Sequence, residues 1–326
     1  MKWLAAAIAG FVATCAAGAA AAQSLTVAVP HPGLWDSTLV TFAKQQGYFK
    51  DAGVDVEFFY TEGGGQQIQT VVSGSADVGL LNGLLSVMAA YDKGAPVRVI
   101  SSEFIGALDS FWYVRADSPI KSLKEAAGHT VAFSTTGSSS HLTILSLLKQ
   151  NGVEGARPTP TGTQTTTLTQ VMSGQIDVGF TVPPVGVKEL NEGKIRILAY
   201  GRDAKDLLGQ SVRVNIANAG ALQAKRAAIG KLLAGMQKAI DAAYDDPKAL
   251  PVLADIMKSD AETVRKIRDE FYPRAAMAMG EVKGVDDALR DAYANKYVGK
   301  PMKAADIAGL FDMGLAPKQD LGLAPK

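Results

Sequence analysis

Cysteine is almost missing. The chain of 326 residues has one, Cys15, and it falls inside the single long apolar run, residues 3–22. Beyond that run there is no thiol for a disulfide, a nucleophile or a metal-thiolate site. Histidine is nearly as scarce: His31, His129 and His141 are the three, and no two stand four residues apart as a helical zinc pair requires. Charge of one sign is also lacking, with 33 Lys and Arg against 32 Asp and Glu, so charge gives no reason to expect a nucleic acid or an anionic surface as partner. No G-x-S-x-G, P-loop or G-x-G-x-x-G after a strand occurs, and no catalytic residue, metal or cofactor is expected. The remainder is ordinary globular material, 47% hydrophobic and 20% charged.

The apolar run has a different composition from the rest. Lys2 precedes WLAAAIAGFVATCAAGAAAA, which ends Ala20-Ala21-Ala22 before Gln23 and fits an A-x-A cleavage site. A transmembrane helix is the other reading of such a run, but this one is Ala-rich and only weakly hydrophobic. The expectation is a signal peptide over residues 1–22, cleaved after Ala22, and export. Val12-Ala13-Thr14-Cys15 loosely resembles a lipoprotein signal, but Thr14 is a poor residue there, so lipid anchoring at Cys15 is not expected.

What is present, and organises the chain, is a repeat. Residues 71–82 read VVSGSADVGLLN and residues 171–182 read VMSGQIDVGFTV. Val71, Ser73, Gly74, Asp77, Val78 and Gly79 recur as Val171, Ser173, Gly174, Asp177, Val178 and Gly179. Each copy reads as an amphipathic helix, a Ser-Gly cap in which Gly takes the left-handed conformation, and a short apolar strand. The period is too long for a solenoid and suits two similar α/β lobes.

Strands are expected at Ser24–Val29, Val54–Tyr60, Asp77–Leu81, Val97–Ser101, Phe111–Arg115, Thr130–Ser134, Asp177–Thr181 and Ile195–Tyr200, with a weak one near Arg157–Thr161. Helices are expected between them, beginning with Leu39–Tyr48, and beyond Gln223 the pattern turns helical, led by a long amphipathic helix over Ala224–Tyr244. This alternation predicts a mostly parallel sheet covered by helices.

With these residues placed, the chain resembles the periplasmic solute-binding proteins of ABC importers. More narrowly it resembles the group of sulfonate, taurine and nitrate binders and NMT1/THI5-like binders of a thiamine pyrimidine precursor. The likeness rests on Gly47-Tyr48-Phe49 with Gly53-Val54-Asp55-Val56, on residues 73–79, on Asp117-Ser118-Pro119-Ile120-Lys121-Ser122-Leu123-Lys124, and on Gly137-Ser138-Ser139-Ser140-His141. The resemblance implies a type II periplasmic-binding-protein fold of class α/β: two lobes joined by two crossover strands, with ligand in the cleft. Lobe one is expected at residues 23–115 and 203–326, with the C-terminal helices packed back on it, and lobe two at residues 116–202. It also implies a monomer in the periplasm, a small organic anion as ligand (an alkyl sulfonate or a small or aromatic carboxylate), and a permease with its ATPase as partner. Uptake of a pyrimidine precursor, or a receptor domain that senses ligand without transport, are the alternatives. A related pyridoxal-dependent precursor synthase needs a cysteine-rich motif that is absent here.

Ligands of parallel α/β sheets sit beyond the carboxyl ends of strands, and four such ends stand out: His31–Trp35, Asn82-Gly83, Ser134–His141 and Thr181–Pro184. The strongest candidate is Thr136-Gly137-Ser138-Ser139-Ser140, where free N–H groups, hydroxyls and a helix dipole meet, all favouring an anion. By family analogy this turn receives the sulfonate or carboxylate. Around it the candidate ligand residues are His31, Trp35 (stacking on a flat or apolar part), Asn82, Ser134, His141 and Thr181. Phe111 and Trp112 stand near the expected hinge, one facing the cleft and one the core. Glu103 and Asp109 would suit an amine but read as solvated turn positions. No arginine is evidently placed for a bidentate grip, Arg115 and Arg157 being the ones considered.

Overall fold

The computed structural model describes residues 23–277 and 279–317. The expected signal peptide, Cys15 and most of the C-terminal tail lie outside the described residues. Among those described, no helix is long and apolar enough to cross a membrane.

The chain runs β1 (Ser24–Pro30), α1 (Trp35–Gln45), α2 (Tyr48–Ala52), β2 (Asp55–Thr61), α3 (Gly64–Val72), β3 (Val78–Gly83), α4 (Leu84–Asp92), β4 (Val97–Ile105) and β5 (Phe111–Arg115). The pattern then restarts with β6 (Thr130–Phe133), α5 (Ser139–Gln150), β7 (Arg157–Pro160), α6 (Gln164–Met172), β8 (Gly179–Thr181), α7 (Val187–Asn191), β9 (Ile195–Tyr200) and β10 (Ser211–Asn218). The helices α8 (Ala219–Ala224), α9 (Arg226–Asp245), α10 (Ala249–Ile256), α11 (Ala261–Phe271) and α12 (Val285–Ala294) complete it. The long amphipathic helix is α9, which packs on α1 and α2; Gly235 lets Phe49 approach, since a Cβ there would stand 2.6 Å from Phe49 Cδ1.

The first sheet has the order β2-β1-β3-β10-β4. A three-stranded sheet β8-β5-β9 and a two-stranded sheet β6-β7 are stitched together by a parallel bridge between Val131 and Val178, so that β7-β6-β8-β5-β9 repeats the first order. In each sheet four strands run one way, as expected of a mostly parallel sheet, and one strand opposes them. β10 runs antiparallel between β3 and β4, and β5 runs antiparallel to both β8 and β9. Each sheet therefore receives one strand from the other half of the chain, across residues 106–110 and 201–210. β5, expected on the lobe-one side, is hydrogen-bonded into the second sheet. β10 was not expected as a strand, although Ser211-Val212-Arg213-Val214-Asn215-Ile216 alternates polar and apolar; Val212, Val214 and Ile216 are buried, and so are the polar Ser211 and Asn215 between them.

The repeat has a physical account at every conserved position. Gly74 and Gly174 both take φ 77°, the left-handed cap conformation. The hydroxyls of Ser73 and Ser173 donate to the carbonyls of Thr70 and Gln170, each at 3.1 Å. The Asp77 carboxylate accepts from Thr26 N at 2.9 Å, and Asp177 accepts from Thr130 N at 2.8 Å, so each aspartate ties its strand to the start of the neighbouring one. Val78 and Val178 are fully buried. At Gly79 and Gly179 a Cβ would meet Val71 Cγ2 at 3.0 Å and Val171 Cγ2 at 2.7 Å, so the repeated valine packs on the repeated glycine.

Candidate functional site

A cavity of about 50 Å³ lies between the two sheets, lined from all four strand ends: Pro30 and His31 after β1, Leu81 and Gly83 of β3, Ser134 after β6, and Phe180 and Val182 of the β8 end. The start of α5 closes one side with Ser138, Ser139 and Ser140, and the crossing segment adds Ala107, Asp109 and Ser110. Asp36 of α1 and Arg213 of β10 complete the charged part of the wall.

The α5 side is a hydroxyl network. Ser138 caps the helix, its Oγ accepting from His141 N at 3.2 Å. Ser140 Oγ accepts from Ser134 N at 3.0 Å and also meets the hydroxyls of Ser134 and Ser138 at 3.0 Å. The first N–H groups of a helix have no intrahelical partner and carry the positive end of its dipole, so this wall offers donors to a negative or polar group.

The opposite side is ionic. Arg213 donates to Asp36 at 2.9 Å, to Asp109 at 2.6 Å and to Ser139 Oγ at 3.1 Å, and its guanidinium stands 5.0 Å from the Phe104 ring centre. The three charged side chains are 12%, 5% and 2% exposed, so each depends on the others for compensation. Burial works against the Arg213 charge, but Asp109 and Asp36 outweigh it and hold the pKa above its ordinary value. Burial raises the Asp36 pKa, with Arg213 opposing. Behind them burial pushes Glu103 up to about 7, a hydrogen bond from Asn215 working the other way. His31 is held down to about 4 by burial and by the Arg213 charge, so it is neutral at neutral pH, and its buried Nδ1 has no protein partner.

Of the residues read from sequence, the cavity brings together His31, Ser134, Ser138 and Ser139. It does not include Trp35, Asn82, Thr136, Gly137, His141 or Thr181. Trp35 is fully buried and packs edge-on against Tyr244 with ring centres 6.0 Å apart, because α1 begins at Trp35 and turns it into the core. Asn82 is fully buried within β3 and both its amide atoms lack partners. Thr181 Oγ1 is bonded to the Val185 carbonyl at 2.8 Å. The glycine corner itself faces the other lobe: a Cβ on Gly83 would stand 2.7 Å from the Gly137 carbonyl oxygen, and one on Gly137, at φ 83°, would stand 2.1 Å from Ser86 Oγ. Gly137 N donates to Tyr297 Oη at 2.9 Å. His141 stacks on Phe133 at 3.9 Å and bonds Tyr297 Oη, with burial lowering its pKa to about 4.

Phe111 and Trp112 are both buried; neither faces the cleft, and Trp112 Nε1 donates to the Ala132 carbonyl at 2.9 Å. Glu103 and Asp109 are interior rather than solvated, each 1% exposed. Arg115 pairs with Asp117 on the surface, and Arg157 lies exposed on β7. The residues that sequence reasoning missed are Asp36, Arg213, Ser110, Thr143 and Gln164. An Arg in the middle of Ser-Val-Arg-Val-Asn-Ile was the signal for Arg213, since a charge flanked by β-branched residues in a buried strand needs buried partners.

The alkanesulfonate-binding protein SsuA of Xanthomonas axonopodis pv. citri, bound to MOPS, superposes with a TM-score of 0.74 at 16% identity, over 89% of this chain and 98% of that one. The aliphatic sulphonate-binding protein SsuA of Escherichia coli gives 0.67 at 22%, over 93% and 94%, and the nitrate-binding protein NrtA of Synechocystis PCC 6803 gives 0.70 at 14%, over 90% and 87%. At these identities the likeness establishes the fold, that of the two-lobed periplasmic binding proteins. No curated protein matches in sequence. The model of the NMT1/THI5-like family matches residues 35–250, most of the chain, and the protein therefore belongs to the NMT1/THI5-like family.

Proposed function

We propose that this protein is the solute-binding component of an ABC importer, which captures a small organic anion in the periplasm and delivers it to a permease with its ATPase. The observation that carries the reading is the cavity enclosed at the strand ends of two facing sheets. The acidic group of the ligand, a sulfonate or carboxylate, would lie against the α5 hydroxyls and free N–H groups. The lobes would meet at residues 106–110 and 201–210, and closure would be a hinge motion there. Likeness to sulfonate- and nitrate-binding proteins supports import. Binding rather than catalysis is supported by the pairing of Asp36 and Asp109 with Arg213, whose charge favours their ionised forms and makes them weak bases. A pyrimidine precursor is the weaker reading, because Trp35, expected to stack on it, is in the core and Phe180 is the aromatic side chain that lines the cavity.

Thermal denaturation with alkyl sulfonates and short carboxylates tests this. A true ligand at 100 times its dissociation constant adds about 2.7 kcal/mol of stability. Ser138→Asp keeps a good helix cap but sets a negative charge on the cavity wall, so it should leave the ligand-free transition in place and remove the shift. An undiminished shift in that variant, or no shift with any acid, defeats the proposal.

A further inference from the structure

The cavity has two unlike walls, and the proposed function uses only one. Its charged lining groups are Asp36, Asp109 and Arg213, two carboxylates to one guanidinium. His31, the remaining titratable residue of the wall, is neutral. The guanidinium is held by Asp36, Asp109 and Ser139, each of its three nitrogens donating once, and its single charge is already set against two carboxylates. Asp109 is engaged at one oxygen: Arg213 takes its Oδ2, and among the described residues no donor is bonded to its Oδ1. Two further groups lack partners: the buried Nδ1 of His31, a residue of the cavity wall, and the hydroxyl of the fully buried Tyr272. The Tyr272 hydroxyl feels Asp36 and Asp109 strongly enough that, after burial, they are the next causes raising its pKa. The raised pKa of Asp36 comes mainly from burial; Arg213 opposes it and Asp109 adds to it. A ligand carrying only negative charge would add to the excess of carboxylate over guanidinium, and a buried charge without a counter-charge is costly.

We infer that the Asp36–Asp109 wall is an ammonium subsite, so that the solute carries a protonated amine at one end and an acidic group at the other. This rests on the proposed importer reading and deepens it. The acidic end would meet the α5 hydroxyls, and the amine would donate to Asp109 and Asp36 with His31 Nδ1 as a further acceptor. The size of the cavity limits the solute to a short chain.

The test is calorimetric titration of the full protein with three matched series: acetate, propionate and butyrate; glycine, β-alanine and γ-aminobutyrate; methylamine, ethylamine and propylamine. The amino acids should bind at least about tenfold tighter than the acids of equal length, the scale of one charge-assisted hydrogen bond. Asp109→Asn should erase that preference, and Asp109→Glu should restore part of it, which separates a role in recognition from a role in folding. Acids and amino acids binding equally well would overturn the ammonium subsite and leave the importer reading standing. Amines binding while both other series fail would keep the subsite and overturn the anion reading. No binding in any series would overturn both.

Discussion

The two halves of this molecule are built by the same rules and present different chemistry to the space between them. Both sheets share one strand order, the helix of each repeat ends at a left-handed glycine, and both repeated aspartates tie strand to strand. Yet the first half buries Asp36, Glu103 and Asp109 around the half-buried Arg213, whereas the polar residues buried in the second, such as Ser134, Ser140, Thr143, Thr161, Gln164 and Thr167, are all uncharged. The repeat thus preserves the residues that hold a strand in its sheet, while the residues around it that line the cavity differ between the halves. One duplicated scaffold gives an ionic jaw and a hydroxyl jaw, and a cleft with two poles needs only that divergence.

The largest expected break in the symmetry is at the repeated glycine. A Cβ at Gly179 would stand 2.5 Å from Tyr113 Cζ as well as 2.7 Å from Val171 Cγ2, while at Gly79 the nearest contacts, Asn82 Nδ2 and Val71 Cγ2, are at 3.0 Å. Gly179→Ala should cost about 3 kcal/mol and Gly79→Ala about 1 kcal/mol, overpacking without room to relax against overpacking with some. Urea unfolding of both variants measures this; equal losses would mean the Tyr113 ring yields freely and the two packing sites are equivalent.

The ionic jaw can be sharpened by pH. Glu103 has its folded pKa raised to about 7 from 4.5. A raised carboxyl binds more protons folded than unfolded, so its contribution is fully present below the unfolded pKa and is lost as pH climbs through the folded one. Glu103→Gln removes that loss. The variant should match the parent near pH 4 and gain on it up to about pH 7, levelling at about 2 kcal/mol, somewhat below the full value of such a shift. A stability difference that stays flat across that window would show that Glu103 is solvated or already compensated.

How much of this was legible in the sequence follows from how local each feature is. The repeat was visible because Val71, Gly74, Asp77 and Gly79 act within one helix–strand unit, so their spacing is fixed. The strand ends could be located by topology, and residues from all four line the cavity. The ionic wall was not legible because Asp36, Asp109 and Arg213 come together from α1, a crossing segment and β10, with 104 residues separating even the Arg213–Asp109 pair. Asp36 was hidden further because α1 starts at Trp35, earlier than the apolar spacing from Leu39 suggests. Trp35 and His141 failed as ligand candidates for the same reason: a large ring at a strand end is as useful to the core, or to the other lobe, as to a solute. Only the tertiary partners decide which.

The repeated aspartates supply the smallest and most direct comparison. Each accepts a backbone N–H from the neighbouring strand, but their second partners differ. Asp77 pairs with Lys225 at 2.8 Å and its side chain is 13% exposed, whereas Asp177 faces His129 at 3.5 Å and is 39% exposed. At Asp177 partial burial raises the pKa, yet the Thr130 hydrogen bonds prevail and hold it below the ordinary value. Replacing either by alanine orphans a backbone N–H, and a buried orphan costs more than one that water can reach. Asp77→Ala should therefore lose about 2 kcal/mol and Asp177→Ala about 1 kcal/mol. Hydrogen exchange at Thr26 and Thr130 reads the two bonds separately: protection should fall at Thr26 alone in the first variant and at Thr130 alone in the second. Loss at both amides in either variant would mean that the two sheets open together, and the halves would then be one cooperative unit rather than two copies of one device.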